Sequence, residues 1–230
     1  MKDTPHTVSD VMTRTVVAVS RAAPFKETAR TLAEWKVSAL PVLEGEGRVI
    51  GVVSEADLLP KQEFKDRDPS RLQQMRHLDE LVKAGAGTAE ELMSTPAVTV
   101  HGNATLAEAA RAMAHQRVKR LPVVDDGGKL VGIVSRSDLL KVYLREDEDI
   151  ADEVRREVIG HFFRHRAPTV EASVQEGVVT LTGTLHDTAL VPVMARLVRA
   201  VEGVVNVEVR LSGPVVRHRL PAPPVVGPQF

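Results

Sequence analysis

A mixed α/β fold (α+β in arrangement), made of two copies of one helix-and-strand unit followed by a smaller α-β-β-α-β domain, is predicted by three observations. The first is an internal repeat. With Met12 placed on Met93, an offset of 81 holds without a gap from Thr7/Thr88 to Leu59/Leu140, and 20 of those 53 pairs are identical. A period kept over that length marks a duplicated supersecondary unit. The second is the switch of hydrophobic period inside each copy, from the helical to the strand spacing. The third is an acidic run, Glu146-Asp147-Glu148-Asp149, beyond which the repeat is lost and a different pattern starts.

Each copy opens with a capping-box signature, Thr7-x-x-Asp10 and Thr88-x-x-Glu91, and a short helix ending near Met12 and Met93. Valine-rich segments follow, Val16 to Val19 and Ala97 to Val100. Phe25, Thr28, Ala29, Leu32 and Leu106, Ala109, Ala110, Met113 then recur at one-face helical spacing. Two β-rich runs, Leu40 to Leu43 and Val49 to Val53, flank Glu44-Gly45-Glu46-Gly47 as a hairpin, with Asp125-Asp126-Gly127-Gly128 at the same place in the second copy. Ser54-Glu55-Ala56-Asp57-Leu58-Leu59 and Ser135-Arg136-Ser137-Asp138-Leu139-Leu140 each lead a strand straight into a helix. Between the copies, a helix is expected from Pro69-Ser70 to Lys83-Ala84-Gly85, with Leu72, Met75, Leu78 and Val82 on one side. Its balanced charges give it no function of its own.

In the C-terminal part the acidic run suits a helix N-terminus, where the macrodipole is positive. The helix carries Ile150, Val154, Val158 and Phe162. Thr169 to Gln175 alternates, Glu176-Gly177 turns, and Val178 to Thr184 returns as a partner strand. Leu190 to Val201 is a second amphipathic helix with Gly203 as its left-handed cap. Val205 to Leu211 alternates as a strand with one buried face. After Gly213, five prolines mark a tail expected to be disordered.

Composition removes several function classes. Lys and Arg (30) balance Asp and Glu (31), so the basic excess that neutralises phosphates along a nucleic acid is missing, and no nucleic acid is expected as a partner. With no cysteine there is neither a disulfide framework nor a thiolate site. No run is long and apolar enough to span a bilayer and no secretory signal is evident, so a cytoplasmic location is expected. No phosphate-cradling GxxxxGK[ST] loop and no Gly-x-Ser-x-Gly elbow occurs, so no enzyme activity is expected.

The pattern Leu-Pro-Val followed by Gly-h-Val-Ser-x-x-Asp-Leu-Leu, present twice in register, resembles tandem cystathionine β-synthase (CBS) domains, which pair as a Bateman module. Gly177-Val-Val-Thr-Leu-Thr-Gly183 and Val201-Glu-Gly-Val-Val-Asn206-Val resemble a BON domain. On this reading residues 1–60 are CBS repeat 1, 61–87 a helical linker, 88–144 CBS repeat 2, 148–212 the BON domain and 213–230 the tail. The CBS resemblance implies β-α-β-β-α units paired through their sheets, clefts for adenosine-containing ligands, and a homodimer. The BON resemblance implies contact with phospholipid or a protein partner.

The CBS resemblance also implies the ligand-binding residues. Asp57 and Asp138 would hold ribose hydroxyls, with Ser54 and Ser135 near the ribose or phosphate, although each Ser-x-x-Asp is equally a helix-capping box. Lys119 and Arg120, standing where the first copy has Ser38 and Ala39, would give charge-assisted hydrogen bonds to phosphate. Arg136, where the first copy has Glu55, adds to them. The second repeat is therefore expected to serve a phosphorylated ligand, and the first a less charged one or none. The expected ligand is an adenine nucleotide (AMP, ADP or ATP) or S-adenosylmethionine, with no obligatory cofactor. No metal site is expected: Glu157, His161 and His165 share a helix side without a third strong ligand and read as a solvated flank. Trp35 and Tyr143 read as packing residues. The function expected is regulatory ligand sensing coupled to the BON domain. The alternative is a stress or envelope-associated protein in which the CBS pair is a dimerisation scaffold and the BON surface does the binding.

Overall fold

The computed structural model describes residues 7–64, 78–160, 169–185 and 187–214. The chain divides into two compact units, 1–140 and 141–230.

In the first unit each copy forms the same three-stranded sheet. β1 (Val19–Ser20) runs parallel to β2 (Ala39–Glu44), which pairs antiparallel with β3 (Arg48–Ser54). β4 (Val100–His101), β5 (Arg120–Val124) and β6 (Leu130–Ser135) repeat this, and Leu40↔Val53 corresponds to Leu121↔Val134 at the sequence offset. The predicted helix faces are buried apart from Ala110, which stands at the edge of its stripe and is exposed. Thr28 and Leu32 of α2 (Phe25–Trp35) lie inside, as do Leu106, Ala109 and Met113 of the equivalent helix (Leu106–His115).

The copies are interlocked through their opening segments. Val8 and Ser9 of α1 (Val8–Val11) donate backbone N–H groups to Ala104 and Gly102 of the second copy, both at 2.9 Å. Reciprocally, Ala89 and Glu90 of the helix Ala89–Leu92 donate to Ala23 and Arg21 of the first, at 2.8 and 3.0 Å. Ala89 and Leu92 accordingly complete the first copy's core, beside Leu40, Val42 and Val53. Thr13 and Ile133 exchange both backbone hydrogen bonds, and so do Val52 and Ser94, the same pair one repeat on. In the capping boxes the carboxylate carries the stronger half: Thr7 N–H donates to Asp10 at 2.8 Å, and the N–H groups of Gly87 and Thr88 hold the Glu91 carboxyl below its ordinary pKa.

In the second unit, the helix Asp147–Glu153 passes into a π-helical turn, Val154–Ile159. Asp147 clasps the hairpin between β7 (Thr169–Gln175) and β8 (Val178–Thr184), accepting from the Glu176 and Gly177 N–H groups at 2.7 and 2.8 Å. The helix Val191–Ala200 covers the sheet, placing Met194, Ala195 and Val198 in a core with Val154, Val179 and Leu181.

Several expectations are corrected. The strand β9 (Asn206–Ser212) buries only Val207 well, and Val205 and Val209 are exposed, because β9 is the edge of the order β7-β8-β9 and the helix covers only part of it. Gly203 is left-handed (φ 91°) but lies two residues past the helix cap Val201, in the turn into β9. There a Cβ would meet the Val142 carbonyl. Trp35 and Tyr143 are more than half exposed rather than packed: Ala86, Ala89 and Leu92 already close the core beneath α2, and Tyr143 sits in a 3-10 turn that buries nothing. The linker helix is described over Leu78–Gly85 only. Its expected start, together with Phe162, His161, His165 and residues 215–230 of the tail, lies outside the described residues.

Gly51 and Gly132 mark close approaches of the copies, as does Gly102 against Ser9. A Cβ on Gly51 would run into the Met93 side chain, and one on Gly132 into that of Met12. Gly51→Ala is expected to lower stability by about 1–3 kcal/mol, the range for overpacking a filled interior. Urea unfolding checks this, and an unchanged midpoint would show that the seam has slack.

Candidate functional site

A cavity of about 360 Å³ opens at the seam of the two copies. Ser38, Ala39, Val52, Ser54, Glu55, Ala56 and Leu59 come from the first copy, and Ser94, Pro96, Ala97, Val98, Val118, Lys119 and Arg120 from the second. The position follows from the fold. The strand starts of β2 and β5 carry Ser38–Ala39 and Lys119–Arg120 to the seam, where the interlocked segment 94–98 forms a wall. Most of the lining is aliphatic, with a few polar groups that fix orientation, the usual construction of a small-molecule site.

Arg120 is the distinctive group. Its Nη2 donates across the seam to Ser38 Oγ, while its Nε is buried without a hydrogen-bond partner among the described residues. Such an orphaned donor costs about 1–3 kcal/mol, more when charged. An anion in the cavity relieves that cost once the guanidinium turns toward it. Lys119, exposed at the rim, is a second cation.

The predicted residues fall into place by space rather than by repeat. Lys119 and Arg120 share the cavity with Ser54 of the first copy. Ser135, Arg136 and Asp138 do not line it. Asp138 accepts from Ser135 N–H at 2.9 Å and from Ser135 Oγ at 2.6 Å, and Arg136 donates to the Val118 carbonyl. Asp57 stands just behind the wall, accepting from Ser54 N–H at 2.7 Å and Ser54 Oγ at 2.6 Å.

Its other oxygen meets Lys83 Nζ from the linker helix, in a pair whose side chains are 22% and 11% exposed. The same segment is tied down by Lys61, which donates to Ala86 O at 2.7 Å and lies over the Phe25 ring. Sequence reading gave the linker helix no role and missed Lys83. A lone lysine on a charge-balanced helix carries no signal without the fold that delivers it to Asp57. Ser94 and Pro96–Val98 were likewise unmarked. The repeat offset locates them only once the interlock is known.

The duplicated α/β module with a small-molecule cavity on its seam defines the class, and comparison with known proteins gives the family. The CBS domain family matches residues 8–62 and 89–145, and the BON domain family residues 146–213. A CBS domain-containing protein of Bacillus subtilis is 32% identical over 132 residues, 57% of this chain and 81% of the relative. An uncharacterized protein of Methanopyrus kandleri is 30% identical over 135 residues, 59% of this chain and 61% of the relative, so the match spans less than two thirds of that protein. Among solved structures, the Arabidopsis thaliana CBS domain-containing protein CBSX2 in complex with AMP aligns with a TM-score of 0.53 at 30% identity, over 60% of this chain and 97% of that one. The chain belongs to the CBS domain family and carries a tandem CBS pair followed by a BON domain.

Among the described residues no His, Asp and Glu cluster is placed to share a metal ion, and no helix is long and apolar enough to cross a membrane.

The Lys83–Asp57 pair sits between the surface and buried regimes, since one-sided loss of a buried pair costs several kcal/mol and an exposed pair contributes little. Lys83→Met is therefore expected to destabilise by about 1–2 kcal/mol, against less than about 0.5 for Lys129→Met, whose partner Glu46 is exposed. Equal effects in chemical denaturation would show that Lys83 does not secure the linker helix.

Proposed function

We propose that this chain is a regulatory sensor: the CBS pair takes an adenine nucleotide or a related adenosine compound in the seam cavity, and occupancy is relayed to the BON domain. The observation that carries this reading is the under-satisfied Arg120 in a mostly aliphatic cavity. Apolar residues such as Val52, Val98 and Val118 suit a purine, and Arg120 with Lys119 suits a phosphate or carboxylate. The Arabidopsis relative crystallised with AMP supports the choice of ligand class. AMP, ADP, ATP and S-adenosylmethionine are the candidates. Asp57 serves a ribose by exchanging Ser54 for a ligand hydroxyl while its other oxygen keeps Lys83, and Ser135, Asp138 and Arg136 form the matching set one repeat on, for a second ligand. The role is regulatory: among the described residues the lining holds no histidine, and its Ser54 is committed with Asp57 to a helix start. The chain works as a cytoplasmic homodimer, with the exposed apolar residues Trp35 and Leu140 offering contact surface.

A charged hydrogen bond contributes about 1.5–3 kcal/mol, so Arg120→Ala is expected to weaken AMP roughly 10- to 100-fold in calorimetry while adenosine loses less than about threefold. Equal losses for the two ligands would place the phosphate elsewhere.

A second reading, with the CBS pair as scaffold and the BON domain as the binding surface, is favoured by one observation. Leu190, Val193 and Leu197 form an exposed apolar stripe with Arg196 at its edge. A basic-rimmed apolar helix face suits an anionic lipid surface. On this reading the full chain co-sediments with phosphatidylglycerol vesicles at low salt, and Val193→Asp with Leu197→Asp abolishes it. No sedimentation of the unaltered chain would remove lipid and leave a protein partner.

A further inference from the structure

The cavity contains one feature that works against a highly charged ligand. Glu55 lines it together with Lys119 and Arg120 and forms no hydrogen bond or ion pair through its side chain among the described residues. The neighbouring carboxylate, Asp57, is different in kind, because Lys83 neutralises it from behind. Glu55 is thus the uncompensated negative charge of the lining, and the three ionised groups sum to a single positive charge. One repeat on, the same position holds Arg136, whose backbone N–H donates to Lys119 O just as that of Glu55 donates to Ser38 O. The fold tolerates either sign at this site, so the helix start, whose first turn suits a carboxylate, does not require one.

We infer that Glu55 is a charge filter, which limits the seam cavity to adenosine ligands bearing a single phosphate and disfavours di- and triphosphates. This rests on the reading of the cavity as an adenosine site and adds its selectivity. The physical reason is direct. One phosphate ester carries a charge of about −1.5 to −2 at neutral pH, which engages both Arg120 and Lys119 and already exceeds the net positive charge of the lining. Each further phosphate adds negative charge without a further cation among the lining residues, at a rim that already carries the exposed Glu55 carboxylate. Volume works in the same direction, since about 360 Å³ lies near the lower end of the roughly 300–1,000 Å³ typical of ligand sites. Charge and volume are separable by substitution, because Glu55→Gln removes the charge and keeps the side-chain size.

The test is titration calorimetry of the full chain with adenosine, AMP and ATP, without divalent cations, at low and high salt, for the unaltered protein and Glu55→Gln. Unaltered protein is expected to bind ATP at least about tenfold more weakly than AMP at low salt, with the gap narrowing as salt screens the carboxylate. Glu55→Gln is expected to narrow the low-salt gap about threefold or more, by strengthening ATP most and leaving adenosine unchanged, as the removal of one nearby charge requires. Equal affinity for ATP and AMP in the unaltered protein, or a gap that Glu55→Gln leaves intact, overturns the filter while leaving the adenosine site standing. Binding of none of the three ligands defeats the adenosine reading itself, and the filter with it.

Discussion

Neither CBS copy closes its own core, and the cavity depends on that exchange. Ala89 and Leu92 are fully buried in the copy that precedes them, and α1 is hydrogen-bonded to the copy that follows. A unit of about 60 residues buries too small a share of its surface to be more than marginally stable alone. Trading opening segments gives each unit the apolar surface it lacks and fixes the register between them. The close approaches of Gly51 to Met93 and Gly132 to Met12 follow from the same exchange. Segment 94–98, which continues from an exchanged helix, becomes a wall of the cavity for that reason.

A cavity made by two copies has walls that are related by the repeat and unlike in chemistry. Equivalent positions hold Ser38 and Lys119, Ala39 and Arg120, Glu55 and Arg136. Arg120 reaches across to Ser38, so a cation encoded in the second repeat joins the serine and carboxylate of the first. The linker adds a contribution that repeat symmetry does not supply, because Lys83 has no counterpart in a second linker. Its ion pair with Asp57 ties the inter-repeat helix to the helix start beside the cavity.

Much of the architecture was legible in the sequence because it rests on local periodicity. The offset of 81 recurs in the strand register, and the stripe at Leu106, Ala109 and Met113 is the buried face of its helix. The hairpin of the second unit falls at Glu176–Gly177 as the turn residues required. The site was legible only in part. Ser54, Lys119 and Arg120 were marked by chemistry, but their grouping depends on which copy's segment crosses the seam, a long-range fact that no local pattern encodes. Val209 was misjudged for a related reason: alternation tells which residues share a face, not whether that face is covered at a sheet edge. Trp35 ends its helix just before Lys36 turns left-handed, beyond the part of the core that the opposite copy fills.

The central claim is that an adenosine ligand sits on the seam with its anion on the guanidinium that now reaches Ser38. A crystal structure of the full chain with AMP tests it most directly. The account predicts the purine against Val52, Val98 and Val118 and a phosphate oxygen within hydrogen-bond distance of Arg120 Nε. An AMP bound only at Ser135 and Asp138, with the seam cavity empty and Arg120 still on Ser38, would contradict it.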